Sequence, residues 1–315
     1  MSRFKDELAR YHRVLSREIA ESPRGKREIV KGYRLLVACP DQPGIIAAIS
    51  HVLARNGCNI TSFDQYSEGP AGLFFMRAEF DRVHNGGDAD HEILISEFDQ
   101  IAREYHMQWR LTDRDRVHRL AVLVSREDHC LNELLWQTER GDIRAEISVI
   151  ISNHEDLREI ADHFRIPFYY IPVSPDQKAQ SEDKLHQLVH DYAIDTLVLA
   201  RYMQILSEEF VSQYPARIIN IHHSFLPAFV GPKPYHQAYE RGVKLIGATA
   251  HYVTAELDAG PIIEQDVHRV DHRHQLDDFK RIGRQVERIV LARAVKWHVS
   301  DRVLVYKNRT VVFPI

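Results

Sequence analysis

Short apolar runs bounded by turn residues recur along the second two-thirds of the chain and predict strands. Leu120-Ala121-Val122-Leu123-Val124 and Thr196-Leu197-Val198-Leu199 are two of them. Ala216 to Ile221 is a third, with Pro215 before it and Pro227, Gly231 and Pro232 as breakers after it. Leu245 to Val253 turns β-branched and aromatic towards its end, and Asp258-Ala259-Gly260-Pro261 reads as a turn into Ile262-Ile263-Glu264-Gln265. The first third is patterned differently. A strand ends at Val37-Ala38-Cys39, and Ile45, Ile46, Ile49, Val52 and Leu53 then recur at helical spacing up to Asn56, with Gly57 as C-cap. Strands over Cys58 to Phe63 and Gly72 to Phe80, a helix over about Asp88 to Tyr105 and a strand over Met107 to Leu111 complete a βαββαβ order. Phe4, Leu8, Tyr11, Val14 and Leu15 also fall at helical spacing, so an amphipathic helix precedes the break at Pro23-Arg24-Gly25.

These elements predict an α/β protein: an N-terminal βαββαβ ferredoxin-like domain, then a Rossmann-like domain with a mostly parallel sheet. The expected boundaries are an N-terminal extension over 1–31, a first domain over 32–112, a charged linker over 113–117 and a second domain over 118–315. A chain of 315 residues suits two domains, and 44% hydrophobic with 27% charged residues is ordinary for a soluble globular protein. The formal charge of −4 gives no reason to expect nucleic acid. No stretch of 18 apolar residues exists to span a membrane. The extension lacks an apolar core and carries Asp6, Glu7, Glu18 and Glu21, so it reads as neither a secretory signal nor a transit peptide. Cys39, Cys58 and Cys130 are odd in number and lack CxxC spacing, which points to reduced thiols and a cytoplasmic location. His268, His272 and His274 lie in a charged turn without other ligand types nearby, and no metal is expected.

Candidate chemistry concentrates where two predicted strands stop. Asn220-Ile221-His222-His223-Ser224-Phe225-Leu226-Pro227 and Leu257-Asp258-Ala259-Gly260-Pro261 offer an amide, two imidazoles and a carboxylate. Reactions at a carbonyl need a donor for the developing oxyanion, a proton carrier and a carboxylate to activate the nucleophile. In open α/β sheets ligands bind beyond the carboxyl ends of strands. Taken singly, Asn220 reads as a turn residue and Asp258 as part of an ordinary turn; together they form a catalytic set. Thr249 and His251 share a face of their strand, which makes both candidate partners of Asp258.

Asn-x-His-x-Ser-x-Leu-Pro followed by Asp-x-Gly resembles the formyltetrahydrofolate-dependent transferase and hydrolase superfamily, over roughly residues 118 to 315. The doubled His222-His223, Lys233-Pro234-Tyr235-His236-Gln237-Ala238-Tyr239, Gly247 to Thr254 and Leu291 to His298 narrow this to the formyltetrahydrofolate deformylase family. That resemblance implies hydrolysis of 10-formyltetrahydrofolate to tetrahydrofolate and formate, balancing the one-carbon pool and supplying formate for purine synthesis. No cofactor beyond the folate substrate is implied. Asn220 would donate to the formyl oxygen, His222 share the oxyanion or protonate the leaving nitrogen, and Asp258 activate water. For His251, structural support and a catalytic role both stand. Arg201, Tyr202, Met203, Gln204 and Leu206 would form one wall of the folate cleft, with Arg201 meeting the glutamate tail, and the segment from Val253 the other. His223 would contact substrate or merely replace the proline that the transferases carry there. The transferases' glycine-rich phosphate loop is absent: Ser125 to Leu131 contains no glycine, which favours water over an amine acceptor. Asp128 and His129 would fill that space, unless Asp128 is a plain N-cap.

Asp41-Gln42-Pro43-Gly44 within the βαββαβ order resembles ACT regulatory domains. This implies an amino-acid effector such as glycine or methionine, contacted by Asp41, Gln42, Gly44, Asn59 and Ile60, or else a homo-oligomerisation module without a ligand. Two rival readings remain open: a formyltransferase acting on an amine, and a non-catalytic folate- and amino-acid-sensing protein.

Overall fold

The computed structural model describes residues 29–84, 88–228 and 234–313. The expected N-terminal helix and the first 28 residues of the extension lie outside the described residues. The first domain runs β1 (Ile29–Pro40), α1 (Ile45–Arg55), β2 (Cys58–Glu68), β3 (Leu73–His84), α2 (Asp88–Glu104) and β4 (Gln108–Asp113). Its strands form an antiparallel sheet in the order β2-β3-β1-β4. The stripe Ile45, Ile49, Val52 and Leu53 of α1 is buried against Val37, Met76 and Phe80 in one core, as the helical spacing requires.

The sheet register divides the expected effector positions into two groups. Asn59 pairs with Asp81, which on its other side pairs with Gly32, near the start of β1. Asp41, Gln42 and Gly44 follow the other end of β1, where Pro40 pairs with Leu73. At about 3.3 Å per residue the two groups stand roughly 25 Å apart. A small amino acid cannot touch both within one chain.

The second domain runs β5 (His118–Val124), α3 (His129–Glu139), β6 (Ala145–Ser152), α4 (Arg158–His163), β7 (Phe168–Tyr170), α5 (Lys178–Asp191), β8 (Thr196–Leu199), α6 (Glu208–Ser212), β9 (Ile218–His222), α7 (Pro234–Glu240), β10 (Leu245–Tyr252), β11 (Ile262–Arg269), α8 (Leu276–Val299) and the hairpin β12 (Val303–Tyr306) and β13 (Arg309–Val312). The main sheet has the order β11-β10-β9-β8-β5-β6-β7, parallel from β9 to β7 and antiparallel at β10 and β11. Alternate residues of central β5 serve opposite cores: Leu120, Val122 and Val124 face one, Ala121 and Leu123 the other.

Helix α8 starts with a capping box between Gln275 and Asp278 and lays Phe279, Ile282, Val286, Val290 and Leu291 inward. On the same stripe sits Glu287, fully buried. Gly283, one turn earlier, lets the Tyr235 ring pass, because a Cβ there would fall 2.1 Å from the Tyr235 hydroxyl oxygen. The C-terminal end of α8 meets the first domain. Arg77 Nε donates to the Asp301 carbonyl at 2.8 Å, and Arg110 and Thr112 donate to the Asp301 carboxylate, both at 2.7 Å.

Candidate active site

Asn220 and His222 occupy the carboxyl end of β9, alternate residues on one face. Because β10 runs antiparallel to β9, His251 lies opposite Asn220 and Thr249 opposite His222. The chain then loops back from β10, and Asp258 returns to the pair in the left-handed conformation, φ 56°, which Asp tolerates better than most residues. Gly260 permits this return, since a Cβ there would lie 1.8 Å from the Tyr252 carbonyl oxygen. His222 Nδ1 stands 3.2 Å from Asp258 Oδ2, and His251 Nε2 stands 3.8 Å from Asp258 Oδ1.

Hydrogen bonds fix the tautomer of His251. Its Nδ1 lies 2.9 Å from the Tyr252 carbonyl, which can only accept, so Nδ1 carries the proton. Burial holds the imidazole's proton affinity below the ordinary value. Nε2 of the neutral ring is then an acceptor, and the Asn220 amide donates to it at 3.2 Å. The bond fixes the Asn220 amide orientation, and among the described residues its second N–H has no partner and is available to substrate. The hydrogen bond from His222 keeps the Asp258 carboxyl below the usual carboxylate range. His222 Nε2 is buried and has no hydrogen-bond partner among the described residues.

Thr249 differs from expectation. Its hydroxyl donates to the Ser224 carbonyl at 2.9 Å and accepts from Leu226 N at 3.0 Å and Gln265 Nε2 at 2.9 Å. It shares a face with His251, but two residues of strand displacement carry it to the loop leaving β9. It anchors that loop and does not touch Asp258.

These groups open on a cavity of about 530 Å³. Its walls include Tyr202, Met203, Gln204 and Leu206 on one side and Val253 to Asp258 on the other, with His223 beside His222. Met203, Ile205 and Leu257 are more than half exposed around it, an apolar rim suited to a flat ring system. Ser125 at the end of β5 accepts from Met203 N at 3.1 Å and tethers the wall to the sheet. Burial pushes the Tyr202 phenol up to about 12, so it stays uncharged.

Arg201, read as meeting the glutamate tail, lines the cavity and is also held from behind. It adopts φ 65°, and its guanidinium pairs at 3.4 Å with buried Glu287. Glu287 also accepts from His129 Nε2 at 2.8 Å and from the Tyr235 hydroxyl. Burial alone would raise its carboxyl, yet the His129 bond and the Arg201 charge hold it down to about 2. His129, the first residue of α3, thus points from the glycine-free loop onto Glu287, while Asp128 is the N-cap residue without a side-chain cap bond. His129, Cys130 and Glu287 also bring donor atoms within 4.8 Å of one another. They suit a metal poorly: the carboxylate is already engaged three ways, and burial pushes the Cys130 thiol well up, away from the thiolate. Glu287 is the residue that sequence reading missed. A glutamate on the inward stripe of α8 was the available signal.

The sequence pattern of the Formyl transferase family matches residues 118–295, and that of the ACT domain residues 33–100. The fold and site together define a formyl-transfer domain joined to an ACT domain. A formyltetrahydrofolate deformylase of Bacillus subtilis is 54% identical over 281 residues, covering 89% of this chain and 93% of its own. The solved formyltetrahydrofolate deformylase of Pseudomonas syringae superposes with a TM-score of 0.85 at 45% identity, over 96% of this chain and 99% of its own. The chain belongs to the formyltetrahydrofolate deformylase family. A solved glycinamide ribonucleotide transformylase from Symbiobacterium toebii superposes at 28% identity and a TM-score of 0.60, over 65% of this chain and 98% of its own.

Proposed function

We propose that the protein hydrolyses 10-formyltetrahydrofolate to tetrahydrofolate and formate, with Asn220, His222 and Asp258 carrying the chemistry. The observation that supports it most is their convergence, with His251 orienting Asn220, at one end of a cavity with an apolar rim. The free N–H of Asn220 binds the formyl oxygen as charge develops; such a donor contributes about 3–4 kcal/mol to transition-state stabilisation. Asp258, ionised at neutral pH, takes a proton from water as the C–O bond forms. His222, held by Asp258, supplies a proton through Nε2 to N10 as the C–N bond breaks. Formate leaves with one proton passed to solvent. The reaction requires no cofactor, since side chains and water account for each step.

The sealed Glu287–His129 contact beside the glycine-free loop favours water over a phosphorylated amine as acceptor. We assign the regulatory domain to 32–112, the linker to 113–117 and the catalytic domain to 118–315, supported by the end of β4 at Asp113 and the start of β5 at His118. An amino acid such as glycine or methionine is the effector of the ACT domain. Exposed Phe63 and Tyr66 on edge strand β2 support a homo-oligomer paired through this sheet. The three free thiols support a cytoplasmic location. Among the described residues no helix is long and apolar enough to cross a membrane.

Purified protein mixed with 10-formyltetrahydrofolate, without any amine, is expected to release formate and tetrahydrofolate in equal amounts. Asn220→Ala is expected to lose at least a hundredfold in rate. Formate that appears only when an amine is supplied would make the protein a transferase.

A further inference from the structure

His223 has no place in the steps above, yet it lines the same cavity as Asn220, His222 and Asp258. Its ring centroid is 5.5 Å from that of His222 and 5.8 Å from that of Tyr235, so it stands between the catalytic pair and the buried cluster around Glu287. Among the described residues it has no hydrogen-bond partner, whereas His222, His251 and His129 each have one. Its backbone is pinned from both sides, by β9 before it and by the Thr249 bond to the Ser224 carbonyl after it. A polar ring held rigidly at a cavity wall with its hydrogen-bonding capacity unused is built to receive a small polar ligand.

We propose that His223 holds the attacking water. One ring nitrogen accepts a hydrogen bond from the water while Asp258 accepts the other, an assignment that rests on the hydrolytic reading above. The charged and titratable groups facing the ring are Arg201, Glu287, His222 and Asp258, with the Tyr235 hydroxyl bonded to Glu287 behind it. Burial first, and then the positive charge of Arg201, bring its proton affinity down to about 3. The imidazole therefore stays neutral at working pH and keeps a bare nitrogen as acceptor. A protonated ring would have two donors and no acceptor, and would repel the proton that water must lose. In the step itself, one water O–H breaks and its proton passes to Asp258 as the oxygen bonds to the formyl carbon. The second O–H stays bonded to His223, which never changes its protonation state. Burial and the Arg201 charge keep the ring uncharged, outweighing the opposing pull of the Glu287 and Asp258 carboxylates. His223 is in this way the residue that makes water the nucleophile.

The test compares wild type, His223→Ala, His223→Asn and His223→Gln by steady-state hydrolysis, with tetrahydrofolate binding and thermal unfolding as controls of fold. His223→Ala is expected to lower kcat about a hundredfold with KM changed less than about threefold, a typical loss for a removed proton-handling group. One of the two amide variants should recover at least tenfold of that loss, since each keeps a neutral acceptor, and its kcat–pH profile should keep the wild-type acid limb. A kcat within threefold of wild type in His223→Ala overturns the proposal, as does a rise in KM alone, which would make His223 a folate contact. Loss of the acid limb in the amide variants overturns it too, because His223 would then be a titrating acid or base. If wild type itself releases no formate without an amine, the hydrolytic reading fails; if wild type hydrolyses and the variants match it, only the role of His223 falls.

Discussion

His298, His118 and His251 show how burial sets what an imidazole does here. His298 Nδ1 meets the Tyr252 hydroxyl at 2.7 Å and its Nε2 meets Thr196 Oγ1 at 2.8 Å, while His118 Nε2 reaches the same threonine at 2.8 Å. Burial is the leading cause that lowers the proton affinity of all three, to about 3 for His298. A group less basic when folded than the ordinary 6.5 binds more protons in the unfolded chain. The native state is therefore at full strength above pH 6.5 and weakens as pH falls below it. For His298 alone this amounts to about 2 kcal/mol at pH 5. Thermal unfolding followed from pH 7.5 to 5 should show a falling midpoint, reduced in slope by His298→Gln; equal slopes would remove His298 from the acid response. At this scale Asn220, His222 and Asp258 were legible, because their residue types at that spacing have few other uses. Glu287 was not, because its partners Arg201, Tyr235 and His129 lie 52 to 158 residues away in sequence and no local period marks them.

Strand β10 illustrates what periodicity supplies and what it withholds. Alternation correctly puts Thr249 and His251 on one face. It says nothing of strand direction, and the antiparallel pairing to β9 decides that His251 meets Asn220 while Thr249 meets the loop at Ser224 and Leu226. Thr249→Val preserves shape and removes the hydroxyl, leaving the Ser224 carbonyl and Leu226 N–H unsatisfied in the interior. A loss of about 1–3 kcal/mol in denaturant unfolding is expected. A kcat reduction larger than the change in KM should accompany it, since the loop carries His223. Unchanged kcat in a destabilised variant would mean that the loop is held well enough by β9 alone.

Across the whole molecule, α8 joins the two domains: Glu287 reaches the cavity wall through Arg201, and the turn after Val299 binds β1, β3 and β4. Asp301, at φ 50°, takes donors from Arg110 and Thr112 and pairs with Arg34 at 3.5 Å, while Arg77 holds the Ser300 and Asp301 carbonyls beyond the helix end, where a cation is favoured. Asp301→Ala strips the carboxylate from three partners and favours the left-handed backbone less. Calorimetry should show about 1–3 kcal/mol lost and the single unfolding transition resolving into two as the domains uncouple. One unsplit transition at the wild-type midpoint would place the coupling elsewhere. The sequence alone determined the two α/β domains and singled out Asn220, His222 and Asp258 as candidates, because strand and helix periods and a tight cluster of reactive types are local properties. Tertiary structure alone decided the direction of β10, the anchoring role of Thr249, the inward turn of Arg201 onto Glu287 and the separation of the effector positions. Each of those depends on which distant segments pack together, a choice made by burial of the shared cores and not by any short stretch of chain.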